Sequence, residues 1–558
     1  MPETLFATQI SGKANMRQRS PVRPYLRKRI ALVGPAFVLL CAISAYSTDY
    51  YVSSTGNDRW SGSISNPWKS ISKVNKGSYA GGDRIFFEGG STFTGTLSFT
   101  STSGGTASNP ILVTSYGTGR ATISAGSGRG ISVYNTAGFY ITNLNVVGAS
   151  GNANVGVYFY ADLGGNVKLD TVRIDQVDVS QFSTGILVGA WNNLTGFKNV
   201  SIMSTNVHDN LKDGINIYGY TSSTMVGYPN QNIYIGHVIA HDNKGVTGAC
   251  QATGGGIIVG NADGVLIERS LAYNNGANNT HNGGPYGIWA WDCNNVIMQF
   301  NESHHNHTGS ITDGGGFDLD GGVTNSILQY NYSHDNDGPG YLIAQYSGAR
   351  TLNNNNTIRY NITQNDGRQN GAAGVQLWNG GTGIKNIQIF NNTIYTSLAS
   401  SRPRGIYLQT ATTNVAIRNN IVITTGGVPV MQAVSGQSGL QIQGNNYWAY
   451  GGSLNIIWES STYLDLPSFR SATGMEKYNG TPVGSAVDPQ LNAPGTGGSI
   501  NNSDALNTLT EYSPKAGSPM IDTALTLSTL FGVNPGPTDF MDTTIYRGLA
   551  YDVGAVEY

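Results

Sequence analysis

The chain is poor in charge. Only 11% of its 558 residues are Asp, Glu, Lys or Arg, against the ~25% of an ordinary soluble domain. The 31 basic and 33 acidic residues nearly cancel, for a formal net charge of −2. That balance removes the general electrostatic case for a nucleic-acid or anionic-membrane partner. Little charge does not mean disorder here, because 39% of the residues are hydrophobic and a disordered chain has the opposite bias in both. Cysteine is nearly missing. Cys41, Cys250 and Cys293 show no Cys-x-x-Cys spacing, which excludes a disulfide scaffold and a cysteine zinc or redox motif. Proline is limited to 19 residues and no Gly-X-Y period occurs, so collagen is excluded. A phosphate-binding Gly loop and a Gly-x-Ser-x-Gly elbow are also missing.

What is abundant is Gly, 75 residues or about 13% against a usual ~7%, together with 31 Tyr. This composition fits many short strands joined by turns.

Residues 17–29 carry six basic side chains and no acid, and Ile30 to Ala45 is apolar, with small residues Ser44, Ala45 and Ser47 at its end. That is the order of a secretory signal, and the run is short for a bilayer span. Residues 1–47 are therefore expected to be a signal peptide starting at Met1 or Met16. The mature chain would be secreted or extracytoplasmic, without stable membrane insertion. A retained N-terminal anchor is the competing reading. Cys41 lies in the apolar run, but Val38-Leu39-Leu40 lacks the small residue of a lipoprotein site. Export permits a disulfide between Cys250 and Cys293; two isolated thiols are the alternative.

The middle of the chain repeats itself. An Asn-x-x-aliphatic segment recurs with its anchor at Ile202, Ile235, Ile267, Met298, Leu328, Ile358, Ile389, Ile417 and Ile442, at spacings of 33 falling to 25 residues. Helical repeats have similar periods but need helical patterning, whereas these units alternate with period two. Units of this length suit the coils of a parallel β-solenoid, each pairing with its neighbours at ~4.8 Å. Asn210, Asn243, Asn275, Asn306, Asn336 and Asn365 share one turn position and predict an Asn ladder. His208, His241, His304 and His334, with Tyr273 in the missing coil, predict a second one. Zn²⁺ between His304 and His334 is the alternative reading.

These features, with Tyr50-Tyr51-Val52-Ser53-Ser54-Thr55-Gly56-Asn57-Asp58, Asn66-Pro67-Trp68-Lys69-Ser70-Ile71, Gly82-Asp83-Arg84-Ile85-Phe86-Phe87, and Asp488-Pro489, Ser518-Pro519-Met520-Ile521-Asp522 and Asp552-Val553-Gly554-Ala555 near the end, resemble the right-handed parallel β-helix proteins of the pectin-lyase-like superfamily. The resemblance spans roughly residues 49–558. It implies an all-β chain: an N-terminal cap and first coils over 48–130, β-helix repeats over 131–450 and a closing segment over 451–558. It is specific for the fold and weak for the reaction.

The strand after each Gly-containing turn places its second and fourth residues outward. In register these strands begin at Ile215, Ile257, Ile288, Phe317, Tyr341, Val375 and Ile406. The outer face then carries Trp289 and Trp291, Asp318 and Asp320 one coil later, then Gln376 and Trp378, then Tyr407 and Gln409. Aromatic faces pack on pyranose rings and amides bond their hydroxyls. Glycoside hydrolysis needs two carboxyl groups; Asp318 and Asp320 lie on one strand, and Asp313 sits in the turn before it. Like charges this close raise one pKa and create a proton donor. His305 and His307 precede the turn with no assigned role.

The reading is an exported glycoside hydrolase that acts on a glycan, with Asp313, Asp318 and Asp320 catalytic and Trp289, Trp291, Gln376, Trp378 and Tyr407 binding the sugar. No metal or other cofactor is required, and a monomer is expected. Two alternatives stay open. One is a polysaccharide lyase, which would add Ca²⁺; its expected Lys or Arg base is missing from the seven strands, with Lys212 and Lys244 the nearest. The other is a non-catalytic glycan-binding β-helix.

Overall fold

The computed structural model describes residues 47–558 apart from Thr382. Residues 1–46 of the expected signal peptide, Cys41 among them, lie outside the described residues. Among the described residues no helix is long and apolar enough to cross a membrane.

Alternation with period two produces short strands, and the coil length returns each strand beside its equivalent in the next unit. The result is a parallel β-solenoid whose strands belong to one large sheet and a second sheet of 14 strands. Every repeat anchor pairs in parallel with the next, from Ile202 to Ile442. The ladder extends further towards the N-terminus than the repeat pattern indicated, through Ile174, Ile141, Val113 and Ile85. All these side chains are fully buried and belong to one continuous core. Inside a solenoid each aliphatic residue is covered by the same position above and below, so the stack is dry along its length.

The corners are held by buried amides. Asn210, Asn243, Asn275 and Asn306 each donate through Nδ2 to the next Oδ1 at 2.9–3.0 Å, ending on Asn336. The next member is Asp366 rather than Asn365: His334 pairs with Gln364, which places Asn336 opposite Asp366, and Asn336 donates to its Oδ1 at 2.8 Å. Asn365 sits one residue earlier at φ 54° and accepts from Ser397 N–H instead. A second amide ladder runs through Asn301, Asn331, Asn361, Asn392, Asn420 and Asn445 to Glu476. Because the side chains also bond turn carbonyls, these buried polar groups are paired and cost little.

The segment from Asp49 to Val74 starts the solenoid with a parallel strand on Arg84–Glu88 and a short helix, Ile71–Val74. At the other end, helix Leu466–Thr473 places Leu466 and Phe469 in the core, where they cover the last coil. The chain then runs back over the outer face of the large sheet. Leu491, Leu506, Tyr512, Phe540, Val553 and Val556 pack there against Tyr332, Ile362, Ile421 and Ile423. Cys250 is exposed, Cys293 is buried, and both are free thiols.

Candidate active site

The strand register on the smaller sheet is the one expected from alternation. Ile215, Ile257, Ile288, Phe317, Tyr341, Val375 and Ile406 pair in sequence and point inward. Trp289, Asp318, Leu342, Gln376 and Tyr407 therefore form one outward row. Asp318 lies between an indole and a leucine on the neighbouring strands.

Over this row the corner loops rise on one side. Loop 307–314 is tied to the coil before it by Gly314 N–H donating to Pro285 O at 2.9 Å. It is tied to a later coil by Asn370 Nδ2 donating to Asp313 O at 3.0 Å. Asn282, Thr312 and Asn370 stand on this wall, while Tyr346, Trp378 and Gln409 stand opposite. The cavity between these walls is about 310 Å³, at the small end of ligand sites. Its apolar floor comes from Tyr286, Leu342 and Ala344, with Trp289 and Trp378 packed against them.

All three aspartates line the cavity. The run Asp313-Gly314-Gly315-Gly316 shapes this corner. Asp313 and Gly314 both take left-handed backbone, φ 63° and 78°, which Gly and Asp tolerate best. At Gly315 a Cβ would come within 2.2 Å of the Tyr286 ring, so only glycine leaves room for that tyrosine. Tyr286 in turn donates its hydroxyl to Asp313 Oδ1 at 2.9 Å.

The three carboxyl groups differ. Asp318 is 3% exposed; burial, followed by the charges of Asp320 and Asp313, holds its pKa well above the carboxylate range. Its Oδ1 has no hydrogen-bond partner. Asp320 keeps an edge towards the cavity and is pushed up to about 7 by burial, with Asp313 adding to the rise. The Gly321 N–H, 2.7 Å from its Oδ1, acts in the opposite sense. Asp313 is also raised by burial, but hydrogen bonds from Tyr286, Thr312 and the Gly284 backbone favour its anion. The arrangement sets three carboxyl groups in three environments: Asp318 buried beside other acids, Asp320 raised to about 7, and Asp313 raised by burial but hydrogen-bonded by Tyr286.

Two other buried polar atoms at the cavity lack partners: Trp289 Nε1 and Gln376 Oε1. Gln376 uses its amide N–H on Gln409 Oε1 at 2.7 Å. Orphaned buried polar atoms cost stability, and both belong to side chains that line the cavity. Of the residues expected to bind sugar, Trp289, Gln376, Trp378 and Tyr407 line the cavity and Trp291 does not. Trp291 lies over Gly260 of the preceding strand, where a Cβ would meet its ring within 2.3 Å. Tyr286, Tyr346 and Asn370 escaped sequence reasoning. Alternation indicates which residues point outward, but not which corner loops fold over them.

His305 and His307 do not reach the cavity. The His305 ring meets His304, Nδ1 to Nδ1 at 2.9 Å, and His307 pairs with Asp337 at 3.2 Å. The histidine positions form a stacked series: His208, His241, Tyr273, His304 and His334 lie 4.7–5.2 Å apart between ring centroids. Glu302, His304 and His334 bring ligand atoms within 4.8 Å of one another. However, the two imidazoles stack at 15°, so an ion in the plane of one ring lies off the plane of the other. Their Nε2 atoms are also engaged, with Asn501 Oδ1 at 3.0 Å and Glu302 Oε1 at 3.2 Å.

No family model matches the chain. It is 25% identical over 509 residues to a lacto-N-biosidase of Bifidobacterium longum subsp. longum, an alignment covering 72% of this chain and 30% of the relative. The chain thus spans less than a third of the length of that relative. Among solved structures it is similar to the GH136 lacto-N-biosidase of Eubacterium ramulus, with TM-score 0.51 and 20% identity over 65% of this chain and 67% of that one. The selenomethionine form of the same enzyme gives TM-score 0.50 at 18% identity, covering 74% and 68%. These likenesses concern the fold alone.

Proposed function

We propose that the protein is a glycoside hydrolase acting on oligosaccharides, and that Asp320 and Asp313 perform the cleavage. The observation that carries this reading is the convergence of three unequal carboxyl groups on a cavity of about 310 Å³ with unpartnered polar atoms and two tryptophans at its edge. Sequence similarity to a lacto-N-biosidase supports it.

In this mechanism Asp320, held near neutral pH, gives its proton to the leaving-group oxygen. Asp313, hydrogen-bonded by Tyr286, acts as base or nucleophile, so the two roles of glycoside hydrolysis fall on carboxyls separated by environment. Asp318 stays protonated and donates a hydrogen bond to a sugar oxygen. Trp289, Trp378 and Tyr407 stack on ring faces, and Gln376 Oε1 accepts from a hydroxyl. The chemistry requires no metal or other cofactor, and the glycan is the partner. Export and a monomeric state remain part of the proposal.

Elimination is disfavoured because no Lys or Arg lines the cavity to abstract a proton or neutralise a uronate. The test is incubation with lacto-N-biose-terminated oligosaccharides and a broader glycan panel. Hydrolysis gives new reducing ends and no ultraviolet-absorbing unsaturated sugar. Unsaturated products, lost on chelation, would replace this reading with a calcium-dependent lyase.

A further inference from the structure

The outer face of the smaller sheet continues beyond the cavity towards the N-terminal coils, and it stays aromatic. Tyr134 pairs with Tyr160, Tyr160 with Gly189 and Gly189 with Tyr218. Gly260 and Trp291 pair in the same register further on. Six strand steps separate strand Ile131–Tyr134 from strand Gly315–Leu319, about 29 Å at ~4.8 Å per step.

The glycines in this row determine how the rings lie. A Cβ at Gly189 would sit 2.8 Å from the Tyr218 ring, and one at Gly260 would sit 2.3 Å from Trp291. Each ring lies across the glycine of the preceding strand, with one face on the sheet. Trp191 stands beside this floor at 67° to Tyr218 and 81° to Tyr220. Tyr134, Tyr158 and Tyr160 continue it in nearly parallel planes. Trp191 is 53% exposed and Tyr134 40%. Two charged groups flank the trough: Asp162, which accepts from Tyr134 Oη at 2.6 Å and Asn135 Nδ2 at 2.7 Å, and Arg129 over Tyr158. Their opposite signs leave the tract without net preference for an ionic ligand.

We infer that this tract is a second carbohydrate-binding surface, distinct from the cleavage cavity, which holds a neutral pyranose chain on Tyr134, Trp191 and Tyr218. Flat rings beside upright ones match the apolar faces and edges of successive sugars, and large exposed aromatic patches mark interaction sites. Continuity with the cavity, where cavity-lining Asp320 follows Trp291 in register on the next strand, favours a glycan as the occupant over a protein. The inference rests on the carbohydrate-active reading above, but binding can be measured without catalysis.

The experiment is affinity electrophoresis of the purified chain in gels containing galactomannan, xyloglucan or β-1,4-galactan. At least one polymer should retard the protein, and the Asp313→Asn/Asp320→Asn variant should be retarded equally. Tyr134→Ala/Trp191→Ala should weaken retention at least about fivefold, the lower bound for two lost aromatic contacts. Both positions are outside the core, so an unchanged thermal midpoint confirms folding. The inference is overturned if none of the three polymers retards the chain, or if the double variant is retained as well as the parent. Sedimentation showing a dimer that this variant dissolves would also overturn it, reassigning the surface to self-association. A failure of the hydrolase reading appears separately, as undiminished cleavage in the aspartate variant.

Discussion

In the coils between Glu302 and Gln345, the outer faces of the two sheets both hide ionisable side chains. On the large sheet, Glu302 accepts Ile500 N–H and Asn501 N–H at 2.7 Å each, and His334 is bracketed by Glu302 and Asp335. The C-terminal segment lies over this face, and the carboxylate anchors it. On the smaller sheet Asp318 is buried with an Oδ1 that meets nothing, and single polar atoms of Trp289 and Gln376, in coils on either side, likewise lack partners. The same solenoid thus contains a satisfied carboxylate, Glu302, whose register neighbour Tyr332 nevertheless keeps an unpartnered hydroxyl, and an unsatisfied aspartate, Asp318, a short way along the sequence. Complete pairing identifies architecture, while incomplete pairing around a cavity identifies the place for a ligand.

The largest expected effect breaks the unsatisfied side. Asp320→Asn should lower kcat by ~10²–10⁴, the usual worth of a positioned acid, with no loss of thermal stability because a neutral amide replaces a group burial already disfavours as a charge. Normal turnover would remove Asp320 from the mechanism. The satisfied side should respond in the opposite way. Asn331, fully buried, donates to Met298 O and Asn361 Oδ1 and accepts from Asn301. Asn331→Ala should cost about 3 kcal/mol in denaturant unfolding, while the folded fraction keeps its turnover. Lost turnover at full folding would tie the ladder to catalysis.

The comparison sharpens with pH. Cleavage needs protonated Asp320, so kcat should decline about tenfold per unit above pH of about 7. A flat profile through pH 8 would assign the proton to another group. The smallest effect concerns stability on the ladder. His208 is raised to about 9, chiefly by its hydrogen bond to Asp178, with Asp209 contributing. A histidine with a raised folded pKa contributes stability that is complete below pH 6.5 and lost as pH rises through about 9. His208→Gln should flatten the stability profile in that window by less than about 1 kcal/mol, since the site is partly solvated. A larger change would mean that the ladder carries more stability than its pairing indicates.

Much of this was legible in the residues. Anchors from Ile202 to Ile442 sit in the register their spacing implies, because a coil must return to the same place to pair. Period-two alternation likewise placed Trp289, Asp318 and Gln376 in one row. The limits are equally specific. Asn365 differs from Asp366 by one residue, and only strand pairing identifies which of them faces Asn336. Trp291 and Trp289 are equivalent by alternation, yet a glycine on the preceding strand lets Trp291 lie down outside the cavity.

The sequence by itself determined the solenoid, its registers and the outward row of carboxyl and aromatic groups, since these depend on local alternation and a repeat length. The tertiary structure alone decided which outward groups become buried. Corner loops 307–314 and 368–372 enclose Asp313, Asp318 and Asp320, and the C-terminal segment covers Glu302. Both depend on contacts between residues far apart in sequence, where the cost of removing water from a charge is set by whatever the distant chain brings to it.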